Sequence, residues 1–424
     1  MKYKVIYIVI LIISINNVSA QSLSITDLWN KIESSGNILE KKLNVEMQQE
    51  QIKVRKSDKL PVIYGDISLQ RNLIIPTTPV PAIAFDPNAK EGAILPLKFS
   101  TQWNSKAGVQ MEWDLFNPSR KTDHEEDKII LEKVKVEELK TRKDWKVNST
   151  LAYASIVLAT EQYKAALEDS ILFSDIKNIS KERFEAGRGE SEEFILSQQE
   201  LERKKIRLHE TWAILQDANL ELGRYYPLEN IVMLSTNIDE ILNQSEDIQI
   251  DNYDKELIKL DQQISIVQLN GIKRQLLPTL SFNAYLGSQF FSNEFNLIDK
   301  SNWYGYSYAN LGLRIPISTY FSSTTALRKA KLNEIIFTKQ VENQVLNDEI
   351  DSQQKLKKIG SAKQKIKGLN NILILSLQNK TEKLASYHAG RILLSDFNKA
   401  NSDCIKAQQD IWQAKYDLLK IILE

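Results

Sequence analysis

The sequence has few of the residues from which disulfides, metal sites and catalytic sites are built. Its one cysteine, Cys404, rules out an intrachain disulfide. Its three histidines, His124, His209 and His388, lie far apart, without a second ligand at the spacing of a metal site. It contains no nucleophile elbow, no phosphate-binding glycine loop and no paired acid–base motif. We therefore expect no cofactor, no bound metal and no enzymatic activity.

The chain also lacks a net charge and, after its first residues, any long apolar run. Lysine and arginine together number 55, as do aspartate and glutamate. That balance gives no reason to expect nucleic acid as a partner, because nucleic-acid binding requires a clustered basic surface. After residue 20 no apolar stretch reaches about 18 residues, so the sequence predicts no transmembrane helix.

The first twenty residues have the pattern of an export signal. Lys2 and Lys4 precede the apolar run Val5–Ile13, and Val18-Ser19-Ala20 has the small-x-small pattern of a cleavage site. The apolar run is shorter than the roughly 20 residues that span a bilayer. We expect residues 1–20 to be a removed signal peptide and the protein to be exported by a bacterium. An uncleaved membrane anchor is the alternative.

Proline is missing from two long windows of the chain. Residues 119–226 and 317–424 contain none, and both are rich in Glu, Lys, Gln, Leu and Ala. Proline disrupts helix interiors, whereas these five residue types favour helices. The windows predict two long helical tracts, interrupted at Gly187 and Gly390. A helix from about Ser119 to Glu185 would measure roughly 100 Å, which is typical of a coiled coil, a stalk or a helical tube.

Four other segments alternate between apolar and polar residues. The clearest run from Leu280 and from Ala309, and similar ones begin near Ile63 and Val109. Such alternation predicts strands with one apolar and one polar face. Aromatic residues collect at the strand ends, namely Trp103, Phe290, Phe291, Trp303, Tyr304, Tyr306 and Tyr308. An apolar outer face, a polar inner face and an aromatic girdle are typical of a membrane β-barrel. A soluble hairpin packed on the helices is the alternative.

The sequence repeats its own pattern once. Phe184-Glu185-Ala186-Gly187-Arg188 returns as Tyr387-His388-Ala389-Gly390-Arg391, and Leu60-Pro61 returns as Leu277-Pro278. We predict two structural repeats, residues 21–235 and 236–424, each with a helix, two strands and a long helical hairpin. The strands are expected near 60–72, 105–117, 278–290 and 304–318, and the hairpin turns at 186–191 and 389–395. Four strands cannot close a barrel, so closure would require several copies of the chain.

Together these motifs resemble the TolC family of outer-membrane efflux and secretion channels, over essentially the whole chain after residue 20. The resemblance rests on Arg274-Gln275-Leu276-Leu277-Pro278-Thr279-Leu280 before a strand, on Ile315-Pro316-Ile317 after one, and on the two glycine motifs. It implies a mainly α fold with membrane β. The implied assembly is a homotrimer in outer-membrane lipid, in which four strands per protomer form one 12-stranded barrel above a helical tube that crosses the periplasm.

The resemblance also implies partners and the residues that contact them. A periplasmic adaptor protein, which links the channel to an inner-membrane pump, would contact the hairpin turns. The turn residues are Ala186, Gly187, Arg188, Ala389, Gly390 and Arg391. The glycines are equally explained by the turn itself, because glycine tolerates positive φ. The two arginines are the better candidates for direct contact, since the turn does not need their charge.

A gate residue follows from the same resemblance. In the family, an acid six residues after the second-half glycine points into the constricted end of the channel, and that residue here is Asp396. Three copies would form a carboxylate ring that favours cations. Lys399 stands where the family often has a second acid, and pairing with Asp396 would cancel the ring's charge. Alternatively, Asp396 caps the helix that follows. Its first-half counterpart, Glu193, is expected to face a neighbouring helix or the outside.

These observations predict a passive outer-membrane exit duct of a tripartite efflux or type I secretion system. An adaptor and an inner-membrane pump would recruit it and open its periplasmic end. The alternative is a pore-less periplasmic coiled coil with a structural or adhesive role. A channel specialised for protein secretion or for metal cations also stays open, although no Met- or His-rich tract favours metal.

Overall fold

The structure is a computed structural model that describes residues 22–226, 234–246 and 252–423. The predicted signal peptide lies outside the described residues. The helices are α1 (Ile25–Asn30), α2 (Gly36–Ser57), α3 (Ser119–Glu185), α4 (Ser191–Leu222), α5 (Ile238–Glu246), α6 (Tyr253–Arg274), α7 (Ile317–His388) and α8 (Leu394–Leu423). The strands are β1 (Val62–Arg71), β2 (Thr78–Pro81), β3 (Ile94–Leu97), β4 (Trp103–Phe116), β5 (Thr279–Ser292) and β6 (Trp303–Arg314). The predicted combination of very long helices with four strands is confirmed.

The chain divides into two compact units that are interleaved in sequence. A helical unit comprises the chain up to Lys42, Glu137–Tyr253 and the chain from Gln344 onwards. A strand unit comprises Leu43–Val136 and Asp254–Asn343. Each unit takes segments from both halves of the sequence. The units therefore do not coincide with the two predicted repeats, and the duplication stays a prediction.

The strand unit contains one antiparallel sheet in the order β1-β4-β5-β6. Because side chains alternate along a strand, this register gives the sheet an apolar and a polar face. Residues on the apolar face include Ile67, Val109, Leu286 and Leu311, and those on the polar face include Asp66, Lys106, Glu112 and Asn283. The apolar face is uncovered in the single chain, where Ile67 is 85% and Leu286 72% exposed.

The register divides the strand-end aromatics between the two faces. Trp103, Phe290 and Trp303 lie on the apolar face, whereas Phe291, Tyr304, Tyr306 and Tyr308 lie on the polar face with Lys106. The prediction that these aromatic residues form one girdle on the apolar face is therefore wrong for four of the seven rings. The physical reason is the two-residue period of a strand, which places Tyr304, Tyr306 and Tyr308 on the same face as Asn310.

The proline-rich segment between β1 and β4 contains a two-stranded antiparallel sheet, in which β2 pairs with β3 and Pro79 lies opposite Pro96. Proline cannot donate a ladder hydrogen bond, so it is tolerated where a strand has an open edge. The short strands and their prolines limit pairing with other chains at those edges.

The helical unit is built on a core that joins α1 to α3, α4 and α8, among other helices. Ile25 and Leu28 of α1 are fully buried with Tyr153 of α3, Leu222 of α4 and Leu419 of α8. The Tyr153 hydroxyl donates to the carbonyl of Leu23 at 2.7 Å and accepts from the amide of Thr236 at 3.1 Å. It thereby satisfies two buried backbone groups beside the parallel bridge between Leu23 and Leu234.

Helix α8 packs along its length through one stripe of buried residues. Its buried residues recur at threes and fours and are often small: Phe397, Ala400, Cys404, Ala407, Ile411, Ala414 and Leu418. This spacing forms one continuous stripe on a helix, and small side chains let neighbouring backbones approach closely. None of the described helices combines the length and apolar character needed to cross a lipid bilayer.

A buried polar group ties α8 to α3 and α4. Asp169 accepts a hydrogen bond from the Asn401 amide at 2.7 Å and pairs with the Lys204 ammonium at 3.1 Å. The Asp169 and Lys204 side chains are only 3% and 11% exposed. Because removing one partner of a buried pair leaves an uncompensated charge, this group fixes the register of the three helices.

Candidate functional site

The predicted contact residues lie in two helix turns of the helical unit that have the same conformation. Gly187, between α3 and α4, and Gly390, between α7 and α8, both have φ of 69°. In the first turn the amide of Arg188 donates to the carbonyl of Arg183 at 2.9 Å, and the amide of Gly187 donates to Phe184 at 3.0 Å. The second turn repeats both bonds, from Arg391 to Ser386 at 3.0 Å and from Gly390 to Tyr387 at 2.9 Å. Each helix therefore ends in a Schellman motif.

Glycine is required in these turns by backbone conformation and not by lack of space. A Cβ added to Gly187 or Gly390 would meet no atom within 4 Å. The left-handed conformation is nevertheless strained by about 1–2 kcal/mol for a residue that has a Cβ. The two glycines thus have a complete structural explanation, and adaptor contact by them stays a prediction.

A hydrophobic cluster lies directly under the two turns and joins the two hairpins. Its fully buried members are Phe173 and Ile176 of α3, Tyr387 of α7, and Leu394 and Phe397 of α8. The Phe397 ring stacks on both Phe173 and Tyr387, each at 6.1 Å between centroids. Burial of these rings holds the end of α7 against α3.

Arg183, near the end of α3, binds the last turn of α7. Its Nη2 donates to the carbonyl of Tyr387 at 3.1 Å and to that of His388 at 3.0 Å. The final carbonyls of a helix have no partner within it, so the guanidinium satisfies groups that would otherwise need water. The same guanidinium lies 5.1 Å from the centroid of the Tyr387 ring and 3.9 Å from the Glu193 carboxylate. Glu193 is thus placed against Arg183 of the same chain.

The Tyr387 hydroxyl completes this network. The hydroxyls of Tyr387 and Ser180 are 2.9 Å apart and share a hydrogen bond. Burial raises the pKa of the Tyr387 phenol above its usual range, although the Ser180 bond opposes that shift. The nearby negative charge of Glu193 adds to the increase. The phenol therefore stays neutral at physiological pH and keeps its hydroxyl proton for hydrogen bonding.

The structure brings four of the predicted residues together in one cleft of about 360 Å³. We call it the turn cleft, and its lining residues are Arg183, Arg188, Glu193, Gly390, Arg391, Ile392, Leu393 and Asp396. Three guanidinium groups and two carboxylates therefore face the same space. Of the other predicted residues, Ala186, Gly187 and Ala389 are exposed on the turns outside this lining.

Asp396 and Lys399 are both exposed on the first turns of α8. Asp396 is the third residue of that helix, so the N-cap position belongs to Leu393 and the capping alternative is wrong. A carboxylate in the first turn is still favoured by the helix macrodipole. Among the ion pairs of the described residues, none joins Asp396 to Lys399. Neutralisation of the carboxylate ring by Lys399 stays a prediction.

With the fold and the turn cleft described, the chain can be compared with known proteins. No protein-family sequence profile matches it, and no curated protein is found as a sequence relative. Solved structures do match. OprN, described as an outer-membrane channel, superposes with a TM-score of 0.71 at 14% identity, covering 94% of this chain and 88% of that one. CusC, described in terms of transmembrane channel formation, gives 0.75 at 14% identity, with 94% and 90% covered. The CmeC outer-membrane channel of Campylobacter jejuni gives 0.69 at 15% identity, with 94% and 84% covered.

The chain has the TolC-family fold. The likeness extends over 94% of the chain, so it includes both the four-stranded sheet and the paired helical hairpins. At 14–15% identity it establishes the fold alone. What this TolC-like chain does is argued below from its own residues.

Sequence reasoning did not predict the hydrogen bonds that Arg183 makes at the turn cleft. Tyr387 begins the second glycine motif and Arg183 directly precedes the first, but sequence reasoning gave neither residue a role. Their contact joins residues 204 positions apart, which only the packing of α3 against α7 brings together. Among the described residues, no cluster of three or more potential metal ligands occurs.

Substituting the turn glycines tests their backbone role. Gly187→Ala and Gly390→Ala should each lower the free energy of unfolding by about 1–2 kcal/mol, because alanine is strained at positive φ. Gly360→Ala is the matched control, since Gly360 is exposed within α7 and a Cβ there meets nothing within 4 Å. That change should instead stabilise by about 0.5–1 kcal/mol. Urea unfolding followed by helix circular dichroism measures all three, and equal effects would refute the assignment.

Removing the Arg183 guanidinium tests the contact between the hairpins. Arg183→Met keeps the aliphatic stem but loses both hydrogen bonds to α7, and we expect a loss of about 1–2 kcal/mol. Amide hydrogen exchange should accelerate at the end of α7 and in the turn that follows. Arg188→Met is the control, because Arg188 is exposed and makes no ion pair among the described residues. Exchange that is equally fast in both variants would show that the Arg183 contacts do not hold the turn.

Proposed function

We propose that this protein is a passive exit duct in a bacterial outer membrane, where an inner-membrane pump and a periplasmic adaptor recruit and open it. The observation that carries the proposal is the four-stranded sheet with an uncovered apolar face and two open edges. In the same chain, α3 and α7 run unbroken for 67 and 72 residues. The fold shared with solved outer-membrane channels supports this reading.

The sheet edges support assembly from identical copies. β1 and β6 form the two edges, and each leaves a row of backbone groups unpaired. β1 runs antiparallel to β6 within the chain, so β1 of one copy can pair with β6 of the next. Repeating this pairing around an axis closes a barrel, with apolar residues toward lipid and polar residues toward the lumen. We propose that three copies do so.

Helix α7 supports the same assembly. In the described chain Tyr387 is the one residue of α7 that is buried. Large apolar residues along the helix remain exposed, among them Leu332, Ile336, Leu356 and Ile374. Contiguous exposed apolar surface of this kind marks a protein interaction site. Other copies of the chain are the proposed partners of this surface.

The turn cleft supports opening by a partner. Arg183 holds α3 to α7 through hydrogen bonds within one chain, whereas Arg188 and Arg391 make no ion pair among the described residues. An adaptor that supplies acceptors to these two free guanidinium groups would bind where the closing contacts lie. Splaying the α7–α8 hairpin would then widen the ring of Asp396 carboxylates.

Assembly in the outer membrane is tested with the full chain in a Gram-negative host. The protein should fractionate with outer membranes, run as a heat-sensitive trimer in mild detergent and carry ion current in planar bilayers. Ile67→Arg, on the apolar face, should reduce the trimer, because a cation facing lipid is destabilising by about 2–4 kcal/mol at mid-membrane. Ser68→Arg, on the polar face of the same strand, is the matched control and should assemble. The proposal would be refuted if the protein were a soluble periplasmic monomer, or if it formed a helical rod that carries no ion current.

The gate is tested by removing the carboxylate of Asp396. Asp396→Ala should raise the single-channel conductance of the resting state, because the ring of carboxylates and the contacts around it are lost. Glu192→Ala is the matched control, since Glu192 is an exposed acid in the first turn of α4. Planar-bilayer recording compares the two variants with the original protein. An unchanged resting conductance in Asp396→Ala would count against the gating role.

A further inference from the structure

The polar face of the sheet carries a contiguous group of tyrosines to which nothing so far assigns a role. The register aligns Tyr64 with Gln110, Gln110 with Tyr285, and Tyr285 with Tyr308, in one row across all four strands. Tyr306 lies in the next row, opposite Gly287. We call Tyr64, Tyr285, Tyr306 and Tyr308 the tyrosine cluster. The last three are in mutual contact, with ring centroids 5.7–6.1 Å apart.

Tyr285 forms the floor of this cluster. It is 3% exposed and extends over two glycines that lie opposite each other, Gly108 and Gly287. A Cβ at either glycine would approach the Tyr285 hydroxyl oxygen to 2.7 or 2.9 Å. The same Cβ would lie closer still to the backbone of the facing strand, at the carbonyl oxygen of Leu286 or of Ala107, so both the backbone and the phenol require glycine at these two positions. The sheet therefore has a recess that the Tyr285 side chain fills.

Tyr306 and Tyr308 rest against this floor but remain accessible. They are 41% and 40% exposed, in contrast to the buried Tyr285. All three residues stand on hydrogen-bonded strands and their rings contact one another, so the aromatic surface is formed before any solute arrives. A rigid aromatic surface of this kind binds planar molecules by stacking, at little entropic cost.

The charges around the cluster favour a cation as the bound solute. Lys106 lies 5.7 Å from the centroid of the Tyr285 ring, but it is already paired with Asp66. Glu112 accepts hydrogen bonds from the Tyr64 hydroxyl and the Gln110 amide, and it makes no ion pair among the described residues. The faces of the tyrosine rings are also electron-rich. Both the rings and the Glu112 carboxylate, which has no ion-pair partner among the described residues, therefore attract positive charge.

We propose that the tyrosine cluster is a transit site that binds planar aromatic cations on their way through the duct. This proposal rests on the proposed function, because the polar face lines a lumen only when several copies close the sheet. In that assembly β1 of a second copy, carrying Tyr64, lies beside β6, carrying Tyr306 and Tyr308. The aromatic surface then continues from copy to copy around the lumen.

The test measures ethidium binding to the purified, assembled protein in non-ionic detergent by fluorescence anisotropy. The double variant Tyr306→Ser/Tyr308→Ser should weaken binding about tenfold, because two stacking surfaces are lost. Tyr306→Phe/Tyr308→Phe keeps the rings and should bind within about twofold of the original. Tyr320→Ser is the control for loss of a tyrosine outside the cluster, since Tyr320 is exposed on α7. This variant should bind ethidium like the original protein. Tetraethylammonium, a cation without a ring, should not displace ethidium.

The outcomes separate this inference from the function on which it rests. Each preparation is also tested for current in planar bilayers. A conducting protein in which the double serine variant binds ethidium like the original overturns the transit site and leaves the duct intact. Displacement by tetraethylammonium overturns it too, because the site would then recognise charge alone. If no variant conducts or assembles, the duct itself is refuted. If only the double serine variant fails to assemble, the single variants Tyr306→Ser and Tyr308→Ser are tested in its place. Each should bind ethidium about threefold more weakly than the original protein.

Discussion

Unpaired backbone groups at the two edges of the four-stranded sheet are the constraint on which the proposed assembly depends. In lipid, each unsatisfied amide or carbonyl costs several kcal/mol, so β1 and β6 cannot both remain open. Pairing between identical copies removes both edges at once, and it requires a rotation axis. Around that axis, the copies of each residue near it form a ring. In the proposed assembly, the tyrosine cluster of one chain becomes for this reason part of a continuous surface around the lumen.

The turn cleft combines closed contacts with charges that have no partner. Arg183 saturates the last carbonyls of α7 and lies over the Tyr387 ring, so the α7 end is held by hydrogen bonds and by a buried aromatic cluster. Arg188 and Arg391 line the same cleft, and both are exposed in the turns. A partner that binds these two arginines gains charge-assisted hydrogen bonds without first breaking an ion pair among the described residues. Its binding energy is then available to displace the contacts of Arg183.

The sequence predicted what local chemistry determines and missed what tertiary packing determines. Proline-free windows predicted α3 and α7, and alternation predicted the four long strands, because helix interiors exclude proline and half-buried strands alternate. The same alternation would have placed Tyr304, Tyr306 and Tyr308 on the polar face, had parity been followed instead of their position near a strand end. The bond from Arg183 to Tyr387 gave no local signal, since it spans 204 residues and exists only because two hairpins pack together.

The position of Tyr285 is locally unfavourable, and that argues for a role beyond packing. Glycine weakens a strand, yet Gly108 and Gly287 lie opposite each other beneath the Tyr285 side chain. The Tyr285 hydroxyl is buried without a hydrogen-bond partner among the described residues, which costs about 1–3 kcal/mol. Phenylalanine would fill the same recess without that cost. Natural sequences break local rules mainly at functional sites. The buried phenol is such an exception, and it lies on the face that carries the proposed transit site.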